Sequence, residues 1–489
     1  MEKAKPQYLL GIILSGGGNL LGMVASLVTI MVAARLLSQE ELGAFFLVML
    51  VAQFTALLGD IGLKNTAIKA LSVLSATSIE FIQTSRYILT VTMVTSLIAC
   101  LVVSLTMPFL ALLWPYQEFQ SHTSYIAPIA LLTTGLQLVM SFLVGAKKFK
   151  RLSVLSAGTE IFRALLSTGG LLAGLGMSSL LWGMIVSRLI GIAAIWVSMP
   201  SLFAITFRHS QSAALLKFGG WLYGCSLVSI IMVRASDAIL TTYMGTAALA
   251  VYSAAMQVPS VLQRVFESIR PALLGYISAQ QTAYANPQIT AVRIVTALLA
   301  VAATFLIVLS RPIMTLLYSE RYESGVIIMQ ALSVWAVFTI INYLFSIILI
   351  GNGQSRRAFL LTLPQLLMII ISTGLLVPLY EGFGAAIALI TTAFLGNIIG
   401  ARLVAGDDRS TCHTLVMVFL RAAAPLLLLL LVVLYTKPSF LLSVGLTSIT
   451  IVLLITFKVV TLKDINTLGV AISGLAGRGS ARLPIASKL

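Results

Sequence analysis

Long segments without charged side chains are the feature of this sequence that most limits its fold. The segment from Gly43 to Leu58 carries no charge, and neither does the block Leu89–Leu113. Because a helix rises 1.5 Å per residue, about 20 such residues cross the ~30 Å apolar core of a bilayer. Only 9% of the 489 residues are charged, whereas soluble proteins carry about 25%. The sequence therefore predicts an all-α integral membrane protein.

Apolar segments recur along the whole chain and predict about 14 transmembrane helices. The first segment is too long for the core of a signal peptide, so we expect it to remain as the first helix. The predicted segments are 9–34, 43–60, 87–113, 124–144, 153–174, 179–200, 217–243, 247–275, 292–317, 326–350, 359–380, 384–404, 414–436 and 440–460.

The two halves of the chain share a sequence pattern. Leu42 begins LGAFFLVMLVAQFTALLGDIG and matches Leu249, which begins LAVYSAAMQVPSVLQRVFESI. Two further matches, MPFLALL with RPIMTLL and FLVGAKKFKR with ILIGNGQSRR, keep a nearly constant offset. Six helices per half give both halves the same orientation, which is a parallel repeat about the membrane normal. The predicted units are an N-terminal lobe (1–205), a C-terminal lobe (206–405), two further helices (406–462) and a basic cytoplasmic tail (463–489).

The net charge of +16 is interpreted by its position along the chain. When loops are assigned alternately to the two sides, most Lys and Arg residues fall on the side of the N-terminus, including Lys147, Lys148, Lys150 and Arg151. Short cytoplasmic loops carry this excess, and the bases face anionic lipid rather than nucleic acid. Both termini are therefore predicted to be cytoplasmic.

Two motifs connect the chain with a known family. RLLSQEELGAF begins at Arg35 and is followed by LLGDIGL, and the second half contains ASDAILTTYMGTAALAVYSAAMQV. The sequence resembles polysaccharide flippases of the O-antigen type, in the superfamily of multidrug, oligosaccharidyl-lipid and polysaccharide exporters. The resemblance implies a two-lobed bundle in the bacterial inner membrane, with the first, second, seventh and eighth helices lining a central cavity.

Charged residues inside the predicted helices are the candidates for function, because burial in a bilayer is costly. Most fall in pairs on one helix face, and each pair has two interpretations. The acid and the base either neutralise each other or take part in transport. The pairs are Asp60–Lys64, Glu160–Arg163, Arg234–Asp237 and Arg264–Glu267, and the bases left over are Arg188, Arg270 and Arg421.

An excess of bases around a water-filled cavity favours an anionic ligand, and Arg donates two parallel hydrogen bonds to phosphate. The predicted function is translocation of an undecaprenyl-pyrophosphate-linked oligosaccharide by alternating access; the glycan is an O-antigen, capsule or exopolysaccharide repeat unit. Arg234, Arg264 and Arg270 are predicted to contact the pyrophosphate, with Arg163 and Arg188 as a second ring. Asp60, Lys64, Asp237 and Glu267 are predicted to serve coupling or gating.

Two other classes of function fit the sequence less well. A multidrug or organic cation antiporter needs unpaired acids in its cavity, whereas here bases match or outnumber them. A membrane glycan polymerase or ligase needs catalytic groups on a sizeable external loop, whereas the predicted external loops are short and His122 is their only histidine. We therefore predict no enzyme, cofactor or metal site. Predicted partners are the lipid-linked oligosaccharide, membrane lipids, a coupling cation (sodium or proton) and a polysaccharide polymerase, without nucleic acid.

Overall fold

The computed structural model describes residues 5–436, except 73, 208–211, 280–285, 353 and 407, and a few isolated positions between 445 and 452. Side chains before Leu21 and in 268–291 are not described. Within this part of the chain all regular structure is helical. We call α1 to α8 the N-terminal half and α9 to α14 the C-terminal half.

The helices follow one another with short connections. Those of the N-terminal half are α1 (Lys5–Leu36), α2 (Gln39–Asp60), α3 (Leu63–Ser72), α4 (Ile79–Leu113), α5 (Gln117–Ser121), α6 (Ile126–Gly145), α7 (Phe149–Leu172) and α8 (Met177–Ser198). Those of the C-terminal half are α9 (Ser212–Ala279), α10 (Asn286–Val308), α11 (Ser310–Tyr318), α12 (Gly325–Gly351), α13 (Ser355–Ala405) and α14 (Arg409–Thr436).

Eight helices in the described residues are long and apolar enough to span a membrane, and a ninth span results if α10 and α11, bent by 64°, are counted together. Two of these eight, α9 and α13, each consist of two helical segments that join at one non-helical residue. Gly245 in α9 (φ 86°, ψ 179°) and Glu381 in α13 (φ 51°, ψ −134°) have non-helical backbones where two helices join. Both lie at predicted connections between helices. The count of about 14 remains a prediction, since the segment 440–460 lies almost entirely outside the described residues.

The chain between Asp60 and the fourth helix differs from the prediction. The predicted segments 43–60 and 87–113 leave a loop from 61 to 86, but α3 occupies Leu63–Ser72 and α4 begins at Ile79. Helix α2 ends at Asp60, because Ile61 (φ 38°) and Gly62 (φ 78°) adopt the left-handed conformation. The prediction that Asp60 and Lys64 share one helix face was therefore wrong, since a turn separates them.

Helix α2 joins the two halves by packing closely against α9. A Cβ atom on Gly43 would lie 1.8 Å from the carbonyl oxygen of Thr246, and one on Gly62 would lie 2.1 Å from the carbonyl oxygen of Gly219. Only glycine permits such close backbone approach. The two glycines thus fix the two ends of the α2–α9 contact.

The start of α2 is held by a capping box. The backbone N–H of Glu41 donates to Ser38 Oγ at 3.1 Å, and the N–H of Ser38 donates to Glu41 Oε2 at 2.8 Å. This satisfies two backbone donors at the helix end. The acidic turn between the first two helices therefore has a structural role.

The variant Ser38→Ala is expected to lower the free energy of unfolding by about 1 kcal/mol, because it removes the cap acceptor. Thermal unfolding of the purified protein in lipid nanodiscs measures the effect. The control is Ser72→Ala, whose hydroxyl only returns to the carbonyl oxygen of Lys69 at the end of α3. Equal midpoints for the two variants would contradict the assignment.

Helix α12 forms the centre of the C-terminal half. In its most apolar stretch of 18 residues, 78% of the residues are buried. Phe338 and Phe345 are fully buried on it, and Phe338 packs against Phe394 of α13 and Phe419 of α14. A helix that is buried on every face is expected to carry apolar side chains on every face. The polar residues of α12 are therefore exceptions that require an explanation.

Candidate functional site

A cavity of about 720 Å³ lies between helices of the two halves, and we call it the central cavity. Its wall is formed by α2, α3, α6 and α8 from the N-terminal half and by α9 from the C-terminal half. The residues proposed from the sequence that line it are Asp60, Lys64, Arg188, Arg234 and Glu267. The structure thus brings together side chains that lie far apart along the chain.

Arg234 connects the two halves across the cavity. One of its terminal nitrogens donates to Asp237 Oδ2 at 2.8 Å, which confirms the predicted i,i+3 pair. The other donates to Gln53 Oε1 of α2, also at 2.8 Å. The Asp237 side chain is 5% exposed and that of Arg234 is 31% exposed. The guanidinium therefore faces the cavity while its partner is buried behind it.

Asp60 and Lys64 make separate contacts at the α2–α3 end of the cavity. Asp60 Oδ1 accepts the backbone N–H of Lys64 at 3.0 Å, so that the carboxylate caps the first turn of α3. The ammonium of Lys64 instead donates to Gln137 Oε1 of α6 at 3.2 Å. The predicted neutralising pair is replaced by a capping contact and by a link between α3 and α6.

The Glu160–Arg163 pair on α7 is formed as predicted, with 2.8 Å between Arg163 Nη2 and Glu160 Oε2. Arg163 is 7% exposed and does not line the central cavity. Arg188 of α8 does line it, and its guanidinium contacts the carbonyl oxygen of Met184 at 3.3 Å. Of the predicted second ring, only Arg188 therefore faces the cavity.

A second opening of about 480 Å³ adjoins the central cavity, and we call it the side pocket. It lies among α1, α7 and the second part of α9. Glu267 lines both spaces. The other residues of its wall are Gly22, Met23, Ser26, Ser156, Glu160 and Arg264.

Arg264 belongs to the side pocket rather than to the central cavity. Its charge interacts with those of Glu267, Glu160, Arg163 and Arg234. The two spaces therefore share one electrostatic environment, although Arg264 and Arg234 line different walls. Arg270 also lies on α9, but its side chain is outside the described residues.

The charge of the central cavity favours an anion. Three bases and two acids line the described part of its wall, and Asp60 is already engaged in capping α3. Arg188, Arg234 and Lys64 come from three elements, so positive charge surrounds the space instead of forming one patch. Such a wall suits a group with several oxygen acceptors, because arginine and lysine offer donors only.

Four hydrogen bonds join the two halves at the end of the molecule near the α1–α2 turn. We call these four bonds the latch. Gln39 Nε2 donates to the carbonyl oxygen of Arg321 at 2.7 Å, and Arg35 donates to that of Leu316. Tyr116 donates to the carbonyl oxygen of Thr241 at 2.9 Å, and Trp114 Nε1 donates to Thr242 Oγ1 at 3.0 Å. The latch adds to the backbone contact of Gly43.

Several lining residues were not predicted from the sequence. Gln53 and Gln137 are neutral, so a search for intramembrane charge passes over them. Gln53 nevertheless interrupts an otherwise apolar segment, which is a usable signal. Helices α6 and α8, the predicted fourth and sixth helices, also line the cavity. The expected set was therefore incomplete, while α1 contributes to the side pocket.

A family model described as polysaccharide biosynthesis protein matches residues 32–327. The succinoglycan biosynthesis transport protein ExoT of Rhizobium meliloti is 25% identical over 299 residues, which are 60% of this chain. The chain spans 59% of the length of that relative.

Solved structures share the fold at low sequence identity. The lipid II flippase MurJ in an inward closed conformation has a TM-score of 0.73 and 15% identity, covering 94% of this chain and 99% of that one. An outward-facing multidrug resistance MATE family transporter of the MOP superfamily has a TM-score of 0.58 and 16% identity, with 83% and 96% covered. The family model covers more than half of the 489 residues, so the chain belongs to the polysaccharide biosynthesis protein family and is a multi-pass membrane protein with a transporter fold.

Proposed function

We propose that the protein moves a lipid-linked oligosaccharide, attached through pyrophosphate to undecaprenol, from the inner to the outer leaflet of the bacterial inner membrane. The glycan is a repeat unit of an exopolysaccharide, a capsule or an O-antigen. The N- and C-terminal halves act as two lobes that open alternately to the two sides. Both termini lie in the cytoplasm under this proposal.

The observation that carries the proposal is the central cavity, whose wall holds bases from both halves of the chain. A pyrophosphate bound there would contact Arg234 and Arg188 together, which bridges the two halves. The side pocket adjoins the cavity at Glu267 and lies among α1, α7 and α9. Its lining is mainly polar, and it places Arg264 beside the space proposed for the pyrophosphate.

Asp237 is the strongest candidate for coupling to a cation. Its Oδ2 accepts from Arg234, whereas its Oδ1 is buried and has no hydrogen-bond partner among the described residues. A buried carboxylate oxygen without a donor is available to a sodium ion or a proton. Asp60 and Glu267 remain gating candidates, and a polysaccharide polymerase remains a proposed partner.

The experiment that tests the function measures surface polysaccharide in a strain without the native gene, complemented by variants. Arg264→Ala is expected to reduce surface polysaccharide about tenfold or more, because a charged hydrogen-bond donor to phosphate is lost. The control is Arg421→Ala, an exposed base of α14 outside the described walls of both spaces. It should restore the wild-type level.

Membrane abundance of each variant is measured by immunoblot to separate export from expression. Accumulation of the lipid-linked intermediate on the cytoplasmic side should accompany the loss of surface polymer. Full complementation by Arg264→Ala at wild-type abundance would remove Arg264 from the proposed site. A strain that gains resistance to cationic drugs with unchanged polysaccharide would instead support a multidrug antiporter, which the basic cavity disfavours.

A further inference from the structure

A third space, which we call the polar chamber, lies inside the C-terminal half, and none of the residues proposed to contact the pyrophosphate lines its described wall. It has a volume of about 180 Å³ and is bounded by α9, α12 and the two parts of α13. None of the thirteen described residues in its wall is charged, and seven of them carry a hydroxyl or amide group. Its chemistry therefore differs from that of the central cavity.

The polar groups of the chamber are buried and come from three different helical segments. Asn342 of α12 is 8% exposed, Gln365 is 3% exposed and Thr392 is 4% exposed. Among the described residues, Asn342 Nδ2 has no hydrogen-bond partner. Because buried amide groups are normally paired, this donor indicates that a further polar group is accommodated there.

Glycine at position 396 makes room for the amides. A Cβ atom on Gly396 would lie 2.1 Å from Asn342 Nδ2 and 2.6 Å from Gln365 Cδ. The two amides thus converge where α13 has no side chain. Trp335, which is 5% exposed, and Tyr343 add aromatic surface to the same wall.

The chamber and the central cavity meet at Val233 of α9, which lines both. Arg234, the next residue, is the proposed pyrophosphate contact. A sugar attached to that pyrophosphate would lie next to the wall formed by Val233. The chamber is smaller than the ~300 Å³ lower limit of sites for drug-sized ligands, which suits one sugar ring rather than a whole oligosaccharide.

We infer that the polar chamber is a subsite for one neutral hexose residue of the transported glycan. Amides and hydroxyls both donate and accept hydrogen bonds, which matches the hydroxyl groups of a sugar. The aromatic faces suit the apolar face of the ring. The absence of charge from the described wall selects against uronic acids and amino sugars with a free ammonium. The inference rests on the proposed function, because it takes the ligand to be a glycan.

The test uses the full-length protein in lipid nanodiscs and methyl hexopyranosides as probes, observed by saturation-transfer NMR. Maltoside detergents are avoided because their head groups are themselves hexoses. We expect the gluco, galacto or N-acetylgluco probe to give a signal that empty nanodiscs lack. Asn342→Leu should weaken that signal about fivefold, the effect of roughly one lost hydrogen bond. Ala393→Phe, which fills the chamber, should abolish it.

The matched control is Ser333→Ala on α12, which removes a buried hydroxyl bonded to its own helix and outside the chamber wall. It should bind like the wild type. If Asn342→Leu fails to fold, as judged by thermal unfolding, the nearly isosteric Thr392→Val takes its place. No probe signal above empty nanodiscs, or an unchanged signal in both chamber variants, overturns the inference.

The double variant Arg234→Gln, Asp237→Asn, which leaves no buried carboxylate without its base, separates this inference from the proposed function. It should retain the hexoside signal while losing export. Export that survives in this double variant, combined with chamber-dependent binding of the probe, contradicts the phosphate site and supports the sugar subsite. Loss of export, combined with probe binding that the chamber variants do not change, supports the phosphate site and contradicts the sugar subsite.

Discussion

The double variant Arg234→Gln, Asp237→Asn is expected to reach the membrane at normal levels and to export almost no polysaccharide. Arg234→Gln alone leaves Asp237 buried without its base, which costs about 3–5 kcal/mol and confuses function with folding. Changing both residues removes the ion pair without leaving an unpaired charge. A charged hydrogen-bond donor to the substrate contributes about 1.5–3 kcal/mol, so export should fall about 10- to 150-fold.

The measurement is surface polysaccharide per cell, normalised to the protein in the membrane. Arg234→Lys keeps the charge but loses the planar fork, and we expect intermediate export because one ammonium replaces the two nitrogens that reach Asp237 and Gln53 separately. Arg421→Gln is the control for loss of a base elsewhere. If the double variant exports at the wild-type rate, Arg234 serves only to neutralise Asp237.

Gly43→Ala should have a comparably large effect through a different cause. The new methyl group would lie 1.8 Å from the carbonyl oxygen of Thr246, a backbone atom at the junction within α9. Neither the methyl group nor the carbonyl group can rotate away, because both are fixed to a helix backbone. Helices α2 and α9 must therefore separate at the end that the latch closes. Overpacking of this kind costs about 3 kcal/mol, which changes the balance of closed and open states about 100-fold.

Cysteine labelling tests this expectation. In a cysteine-free background, Ala56→Cys places a thiol on the central cavity wall. We expect a membrane-impermeant maleimide, added from outside, to label it faster in the Gly43→Ala protein, and export to fall. The control is Gly158→Ala on α7, where nothing lies within 4 Å of the added methyl group. Unchanged labelling and export in the Gly43→Ala protein would show that the lobes do not separate there.

The sequence predicted the local features of the site well. Charge spacing identified Arg234–Asp237 and Glu160–Arg163, and both pairs are formed. Such pairs join neighbouring turns of one helix, so their spacing identifies them where the helix is continuous; at Asp60 and Lys64 it is not. The junctions at Gly245 and Glu381 were also predicted, because turn signals interrupt apolar segments there.

Features that depend on packing were not predictable in this way. The short helix α3 falls in a predicted loop, since its ten residues are amphipathic rather than apolar. The link from Arg234 to Gln53 joins residues 181 positions apart. Asn342, Gln365 and Thr392 are separate polar residues on different segments, and no local pattern connects them. These three residues form one polar wall only because tertiary packing brings their helical segments together.

The latch has a consequence for how related proteins diverge. Three of its four bonds, from Arg35, Gln39 and Tyr116, end on backbone carbonyl oxygens. Any residue at the accepting position supplies the same oxygen. The side chains at the accepting positions can therefore change while closure is retained, whereas the donor side chains cannot. Covariation between residue pairs would leave this closure almost undetected, and residue contacts inferred from sequence families would underestimate how firmly the two halves are held together.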